Sequence, residues 1–219
     1  MSAEKHLIDT RLREYIETNF SADTDFLKEL LVEANLKGFP DIHISPAQSQ
    51  FLKILIKSIS ARNILEIGSL AGYSAFSMAE ALEGNGRVVA IEKEPEYAEF
   101  IRSHSQKGGF GSVVEVINAD ANDYLTTYNP GAGFDLIFVD ADKSSYINYM
   151  RHAERLLRPG GIFAADNCLG FGELFDRNPS RGEKTIRTIR EFNNALRNNS
   201  VFTSTIVPLG DGIALGVKV

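Results

Sequence analysis

The sequence predicts a doubly wound α/β sheet, mostly parallel, and three observations carry that prediction. From Asn63 onward, short apolar runs alternate with glycine or acidic turns and stretches of helical periodicity, which is the rhythm of βαβ units with right-handed crossovers. Two of the apolar runs end abruptly in oxygen-bearing side chains. Leu136 to Val139 stops at Asp140-Ala-Asp142-Lys143, and Ile162 to Ala165 stops at Asp166-Asn167. Unbroken apolar runs of this length belong to strands covered on both faces. The third observation is the closing pair, Phe202 to Pro208 and Gly212 to Val219. Leu209-Gly-Asp-Gly212 joins them with hairpin chemistry, which makes the last pair antiparallel.

The elements follow in order. Residues 4 to 60 read as three helices with no strand before them: about 5–19, about 23–37 with Ser21 or Asp23 as cap and Gly38 as stop, and about 46–60 entered through Ser45-Pro46. The third places Phe51, Leu52, Leu55, Ile56 and Ile59 at helical spacing and so has a core-facing stripe. Ile64 to Ile67 is a buried strand, Gly68-Ser-Leu-Ala-Gly72 a turn, and Tyr73 to Leu82 a helix. A strand from Arg87 to Ile91 ends at Glu92, and a helix runs from Pro95 to about Ser105. Val113 to Ile117 is a third strand ending at Asn118-Ala-Asp120-Ala121, with a short helix after it. The strand at 135–139 leads to a helix at about 144–157, then to Arg158-Pro-Gly-Gly161 as a stop and to a strand at 162–165. One more helix, 182–198, precedes the final pair. No repeat or linker interrupts the chain. It is read as one domain, 1–219, in which residues 1–60 pack on a 61–219 α/β core.

Composition narrows the function classes. With 219 residues, 43% hydrophobic and 24% charged, the chain has enough apolar material for a large core. The net charge of −6, without a Lys/Arg-rich run, disfavours nucleic acid as partner. Cys168 is the sole cysteine, so there is neither a disulfide framework nor a thiolate zinc site, and a reducing compartment fits. No apolar run approaches the ~18 residues of a membrane span. A cytoplasmic protein with no membrane attachment is expected.

Ligands of open α/β sheets bind beyond the carboxyl ends of the strands. Two neighbouring strands ending in Asp140 and in Asp166-Asn167 point to a hard cation held by those three residues, because Mg²⁺ and Ca²⁺ take carboxylate and amide oxygens. The turn Glu66-Ile-Gly68-Ser69-Leu-Ala-Gly72-Tyr-Ser74 resembles a dinucleotide fingerprint without its G-x-G-x-x-G spacing. Ser74, in the first turn of a helix, suits a carboxylate. Glu92, ending the next strand, suits the two hydroxyls of a ribose. Asp120-Ala121 suits an adenine edge, and Asp140 and Asp142 suit an ammonium. An adenosine carrying a carboxylate, an ammonium and no phosphate is S-adenosylmethionine.

Leu65 to Ser74, Phe138-Val-Asp-Ala-Asp-Lys143, Asp166-Asn167 and Gly210-Asp-Gly-Ile213 together resemble the cation-dependent O-methyltransferases of the caffeoyl-CoA and catechol type. The resemblance runs from about residue 42 to the end. It implies the Rossmann-like class I methyltransferase fold, a seven-stranded sheet with a reversed last strand, and a homodimer. It also implies that Asp140, Asp166 and Asn167 ligate the metal. It further implies cofactor contacts at Ile44, Glu66, Gly68, Ser74, Glu92, Ala121, Asp142 and Tyr149, and Ser69, Asp120 and Asp140 join them as candidate cofactor residues. Plant members carry an acid where this chain has Gln48, and Asn-Thr-Leu-Trp where it has Asn167-Cys-Leu-Gly170, positions expected to lie towards the acyl substrate.

The chemistry expected is transfer of a methyl group from S-adenosylmethionine to a hydroxyl of an aromatic molecule with vicinal hydroxyls. Lys143 and Asp140 are the candidate catalytic residues. A divalent cation, Mg²⁺ first with Ca²⁺ or Mn²⁺ as substitutes, would acidify the phenol and orient it. The loop 169–184 reads as a substrate lid or as a dimer contact. Two rival readings are a nicotinamide oxidoreductase, disfavoured by the missing second glycine, and a non-catalytic binding protein, disfavoured by three metal-type donors beside a lysine.

Overall fold

The computed structural model describes residues 10–21, 23–129, 131 and 133–219. Three helices lead: α1 (Thr10–Phe20), α2 (Asp25–Leu36) and α3 (Pro46–Ser58). The expected start of the first, near residue 5, lies outside the described residues. The cap of α2 is Thr24, not Ser21 or Asp23: its hydroxyl accepts from the Leu27 N–H and donates to Glu80 on α4. Asp23 instead accepts the Tyr73 hydroxyl at 2.7 Å.

From here strand and helix alternate until the last two strands, which follow one another directly. β1 (Asn63–Ile67), α4 (Tyr73–Leu82), β2 (Arg87–Glu92), α5 (Pro95–Lys107), β3 (Val114–Asn118), α6 (Ala121–Thr127) and β4 (Phe134–Val139) come first. Then α7 (Tyr146–Leu156), β5 (Leu157–Ala165), α8 (Glu183–Arg197), β6 (Phe202–Val207) and β7 (Ile213–Lys218) complete the chain. The expected helix at 144–157 divides into a single 3₁₀ turn, Lys143–Ser145, and α7. β5 begins at Leu157, earlier than expected. Leu157 pairs with Phe134, a register shift follows, and Arg158 to Gly161 lie in the resulting irregularity before regular pairing resumes at Ile162.

The strands form one seven-stranded sheet in the order β3-β2-β1-β4-β5-β7-β6. β7 runs antiparallel to both its neighbours, β5 and β6, and every other pairing is parallel. The alternation of side chains across the pleat builds a core on each face. Ile64, Val88, Leu136, Phe138 and Ile162 pack under α2 to α5, while Leu65, Val89, Ile137, Val139 and Phe163 pack under α6 to α8. Glu80 ties the leading helices to this framework, bonding the Thr24 hydroxyl and, at 2.6 Å, the Lys53 ammonium of α3. Among the described residues, no helix is long and apolar enough to cross a membrane.

Candidate active site

Register brings the functional strand ends into a row. The β-ladder continues one residue past each strand: Gly68 N–H bonds the Ile91 carbonyl, Asp140 N–H the Ile67 carbonyl, and Asp166 N–H the Val139 carbonyl. With β1 between β2 and β4, the row reads Glu92, Gly68, Asp140, Asp166, astride the point where the strand order reverses. A cavity of about 1110 Å³ opens above this row. Ile44, Gly68, Ser69, Ser74, Glu92, Asp120, Ala121, Asp140, Asp142, Lys143, Tyr149, Asp166 and Asn167 all line it.

Glu66 does not. It is fully buried beneath the turn, and neither carboxylate oxygen accepts a hydrogen bond of ordinary geometry. Burial pushes its carboxyl up to about 7, the charges of Asp140 and Glu92 add to the rise, and the Ser69 and Ser74 hydroxyls oppose it. The expected cofactor contact of Glu66 is thus not on the cavity wall: the acid lies under the turn, against the Ser69 and Ser74 hydroxyls. Gly68 is a glycine for a packing reason as well. At φ +85°, a Cβ there would meet the Asp140 carbonyl oxygen at 2.3 Å, so only a bare backbone lets this turn lie against the end of β4.

Glu92 has work within the protein. One oxygen accepts the N–H groups of Ser69 and Leu70 at 3.2 and 2.8 Å, and the other accepts Glu94 N–H at 2.9 Å. It therefore fixes the turn in place while still facing the cavity. Asp120 is exposed and caps α6, accepting from Asn122 and Asp123 N–H. Asp142 accepts the hydroxyls of Tyr149 at 3.0 Å and Ser144 at 2.8 Å. Burial raises its carboxyl, but these hydroxyls and that of Ser145 hold it below the usual range.

At the other end of the row, Lys143 Nζ donates to Asp140 Oδ1 at 3.2 Å and to the Tyr146 hydroxyl at 2.6 Å. Tyr146 passes the contact on, donating to the Asp166 carbonyl at 3.1 Å. Asp166 is 4% exposed. Burial, and after it the neighbouring Asp140 carboxylate, pushes its carboxyl up to about 8. Asn167 adopts a left-handed backbone, φ +59°, which Asn tolerates better than most residues and which turns the chain sharply after β5. Among the described residues, no three His, Cys, Asp or Glu side chains gather to hold a metal. The donor set here is two carboxylates and an amide. Its oxygen chemistry, with two acids crowded in a poorly solvated recess, suits a hard divalent cation.

Two contacts lay beyond the sequence. Gln48 reaches from α3 to donate to Asp166 Oδ1 at 2.7 Å, so this side chain faces the candidate metal ligand. Asp211, in the β6–β7 turn, accepts the N–H groups of Phe171 and Gly172 and so anchors the start of the 169–184 loop. Phe171 and Arg181 of that loop line the cavity, with the guanidinium 4.6 Å from the ring centre. Cys168, next to Asn167, is buried with its thiol pushed up to about 12 by desolvation, and packs without offering a thiolate.

Comparison with known proteins bears on this arrangement. Residues 17–219 match the family model described as O-methyltransferase. A catechol O-methyltransferase of Niastella koreensis is 39% identical over 187 residues, covering 82% of this chain and 84% of that protein. A caffeoyl-CoA O-methyltransferase of Populus kitakamiensis is 33% identical over 216 residues, covering 93% and 92%. Among solved structures, the O-methyltransferase from Bacillus cereus in complex with SAH superposes with a TM-score of 0.86 at 30% identity, covering 96% of this chain and 98% of that one. A family model that spans nearly the whole chain, relatives above 30% identity and a shared fold agree: this chain belongs to the O-methyltransferase family.

Proposed function

We propose that this protein transfers a methyl group from S-adenosylmethionine to one hydroxyl of a catechol-type aromatic acceptor, with a divalent cation bound by Asp140, Asp166 and Asn167. The observation that carries the reading is the row of strand ends, Glu92, Gly68, Asp140 and Asp166, under one cavity. One half of the row suits an adenosyl amino acid and the other a hard cation. The SAH complex of the Bacillus cereus relative and the names of the catechol and caffeoyl-CoA relatives support it.

In this reading, Glu92 receives the ribose hydroxyls, and the backbone at Ala121, beside the Asp120 side chain, meets the adenine. Asp142, with Tyr149 behind it, receives the ammonium, and Gly68, Ser69 and Ser74 offer the turn and helix start to the carboxylate. Ile44 covers the cofactor, and buried Glu66 supports the turn from beneath, facing the Ser69 and Ser74 hydroxyls. A cation held by Asp140, Asp166 and Asn167 would supply Lewis-acid chemistry that lowers the pKa of the acceptor phenol. The S–CH₃ bond breaks as the O–CH₃ bond forms, leaving a thioether, while the phenol proton departs towards solvent past Lys143. Lys143, held between Asp140 and Tyr146, stabilises the phenolate electrostatically. Phe171 and Arg181 shield the acceptor from water.

The same proposal makes the whole chain one methyltransferase domain, places it in the cytoplasm and gives it no nucleic-acid or membrane partner. It also pairs the chain as a homodimer through apolar side chains left on the surface. Leu12, Tyr15 and Phe20 of α1 are each more than half exposed, as is Phe175 in the 169–184 loop at 88%. That loop thus serves the cavity through Phe171 and the partner through Phe175. Transfer of a labelled methyl from S-adenosylmethionine to a panel of catechol acids, CoA esters and flavonoids tests the function. Calorimetry with NAD in parallel separates it from the oxidoreductase reading.

A further inference from the structure

Gln48 sits where three parts of the fold meet. It is the third residue of α3 and 4% exposed. Its carbonyl oxygen accepts Ser45 N–H at 3.0 Å, while Ser45 Oγ accepts Gln48 N–H at 3.2 Å, a reciprocal capping box. Its amide nitrogen then donates to Asp166 Oδ1 at 2.7 Å, at the end of β5. The third wall is Gly210, in the β6–β7 turn. A Cβ there would lie 2.3 Å from Gln48 Cδ, on a backbone at φ +60°, so the turn closes over the amide only because residue 210 has no side chain.

The orientation of the amide follows from its partners. Turned over, it would set its oxygen against the Asp166 carboxylate and its N–H₂ against the Ser45 N–H, losing both bonds and creating two repulsions. A helix cap and a candidate metal ligand are therefore read by the oxygen and the nitrogen of one side-chain amide. A Glu at this position would keep the capping box but press a third carboxylate on Asp166, which already has Asp140 as a neighbour.

We propose that Gln48 is the positioning residue of the cation site. Held by Ser45 and enclosed by Gly210, it engages one oxygen of Asp166, leaves the other for the cation, and keeps the shell at two carboxylates. This rests on the cation reading given above, and the test separates the two.

Mg²⁺ binding is measured by calorimetry on the full chain saturated with S-adenosylmethionine, and melting is followed in chelator. The wild type and Asp166→Ala test the cation site itself. Gln48→Met, which keeps bulk without the amide, is expected to weaken Mg²⁺ binding by about 10–100-fold, as loss of a ligand's supporting hydrogen bond does, with cofactor affinity unchanged. Gln48→Glu, which keeps the helix cap, is expected to melt below wild type in chelator and to gain more from added Mg²⁺ than wild type does. Gly210→Ala, forced against the amide, is expected to weaken Mg²⁺ binding without altering Gln48. The proposal is overturned if wild type binds Mg²⁺ through Asp166 while Gln48→Met and Gly210→Ala bind it equally well and Gln48→Glu melts like wild type. A wild type that binds no Mg²⁺, or an unaffected Asp166→Ala, overturns the cation reading and this proposal together.

Discussion

Lys143 Nζ lies 2.6 Å from the phenolic oxygen of Tyr146, which is buried and itself donates to the Asp166 carbonyl at 3.1 Å. The lysine on the turn after β4 is thus held by a tyrosine that also braces the end of β5. Its position depends on both strand ends. Burial, and next the Asp140 carboxylate, raise the Tyr146 hydroxyl well above its usual range, so it serves as a neutral bridge.

Lys143→Met should lower kcat by about 10²-fold or more, the scale of removing a group aimed at developing charge, with cofactor affinity unchanged. Tyr146→Phe should give a smaller loss in kcat of the same kind. Steady-state kinetics beside calorimetry with S-adenosylmethionine check both. A Lys143→Met enzyme of wild-type kcat removes the lysine from the chemistry.

Glu92→Ala should weaken S-adenosylmethionine binding by about 1–3 kcal/mol, the scale of lost charge-assisted hydrogen bonds. Because Glu92 also accepts the N–H groups of Ser69, Leu70 and Glu94, the variant should melt below wild type even without ligand. Unchanged affinity in calorimetry takes Glu92 out of the cofactor site.

Glu66 gives a pH dependence with a definite sign. Its carboxyl is raised from 4.5 to about 7 in the fold, so the folded state holds a proton that the unfolded state has released between those values. The stability it contributes is fully present below about 4.5 and is lost as pH rises through about 7. Ligand-free Glu66→Gln should therefore show a flatter stability profile over this window and exceed wild type by about 1–3 kcal/mol at pH 7.5. Denaturant titrations from pH 4.5 to 8 measure it, and parallel profiles for the two proteins contradict it.

The strand ends were legible because the signal is local: an apolar run that breaks into acids marks the place where a sheet stops and a ligand surface starts. The partners of those acids were not. Gln48 and Asp166 are 118 residues apart, and nothing near either one announces the other. Ser21, Asp23 and Thr24 are all capping residue types; Asp23 is taken up by the Tyr73 hydroxyl, and Thr24 accepts the Leu27 N–H. Arg158-Pro-Gly-Gly161 read as a stop after the helix because Pro and Gly end helices. The register shift between Phe134 and Leu136 lets β5, an inner strand between β4 and β7, carry them at its irregular start.

The proposed homodimer predicts twice the chain mass by light scattering at micromolar concentration. Leu12→Glu with Phe175→Glu, at surface positions that cost the fold little, should halve it. A wild type of single-chain mass contradicts the pairing.

The central claim is that one cation, held by Asp140, Asp166 and Asn167, clamps two oxygens of the acceptor, and methyl transfer to a catechol in chelator-treated enzyme tests it most directly. Such a cation leaves coordination positions for a bidentate vicinal diol, so substrate class follows from coordination. The account predicts no turnover in chelator with cofactor binding intact, recovery on adding Mg²⁺, and little reaction with the mono-hydroxyl analogue. Full activity in chelator, or equal rates on the catechol and its mono-hydroxyl analogue, would contradict it.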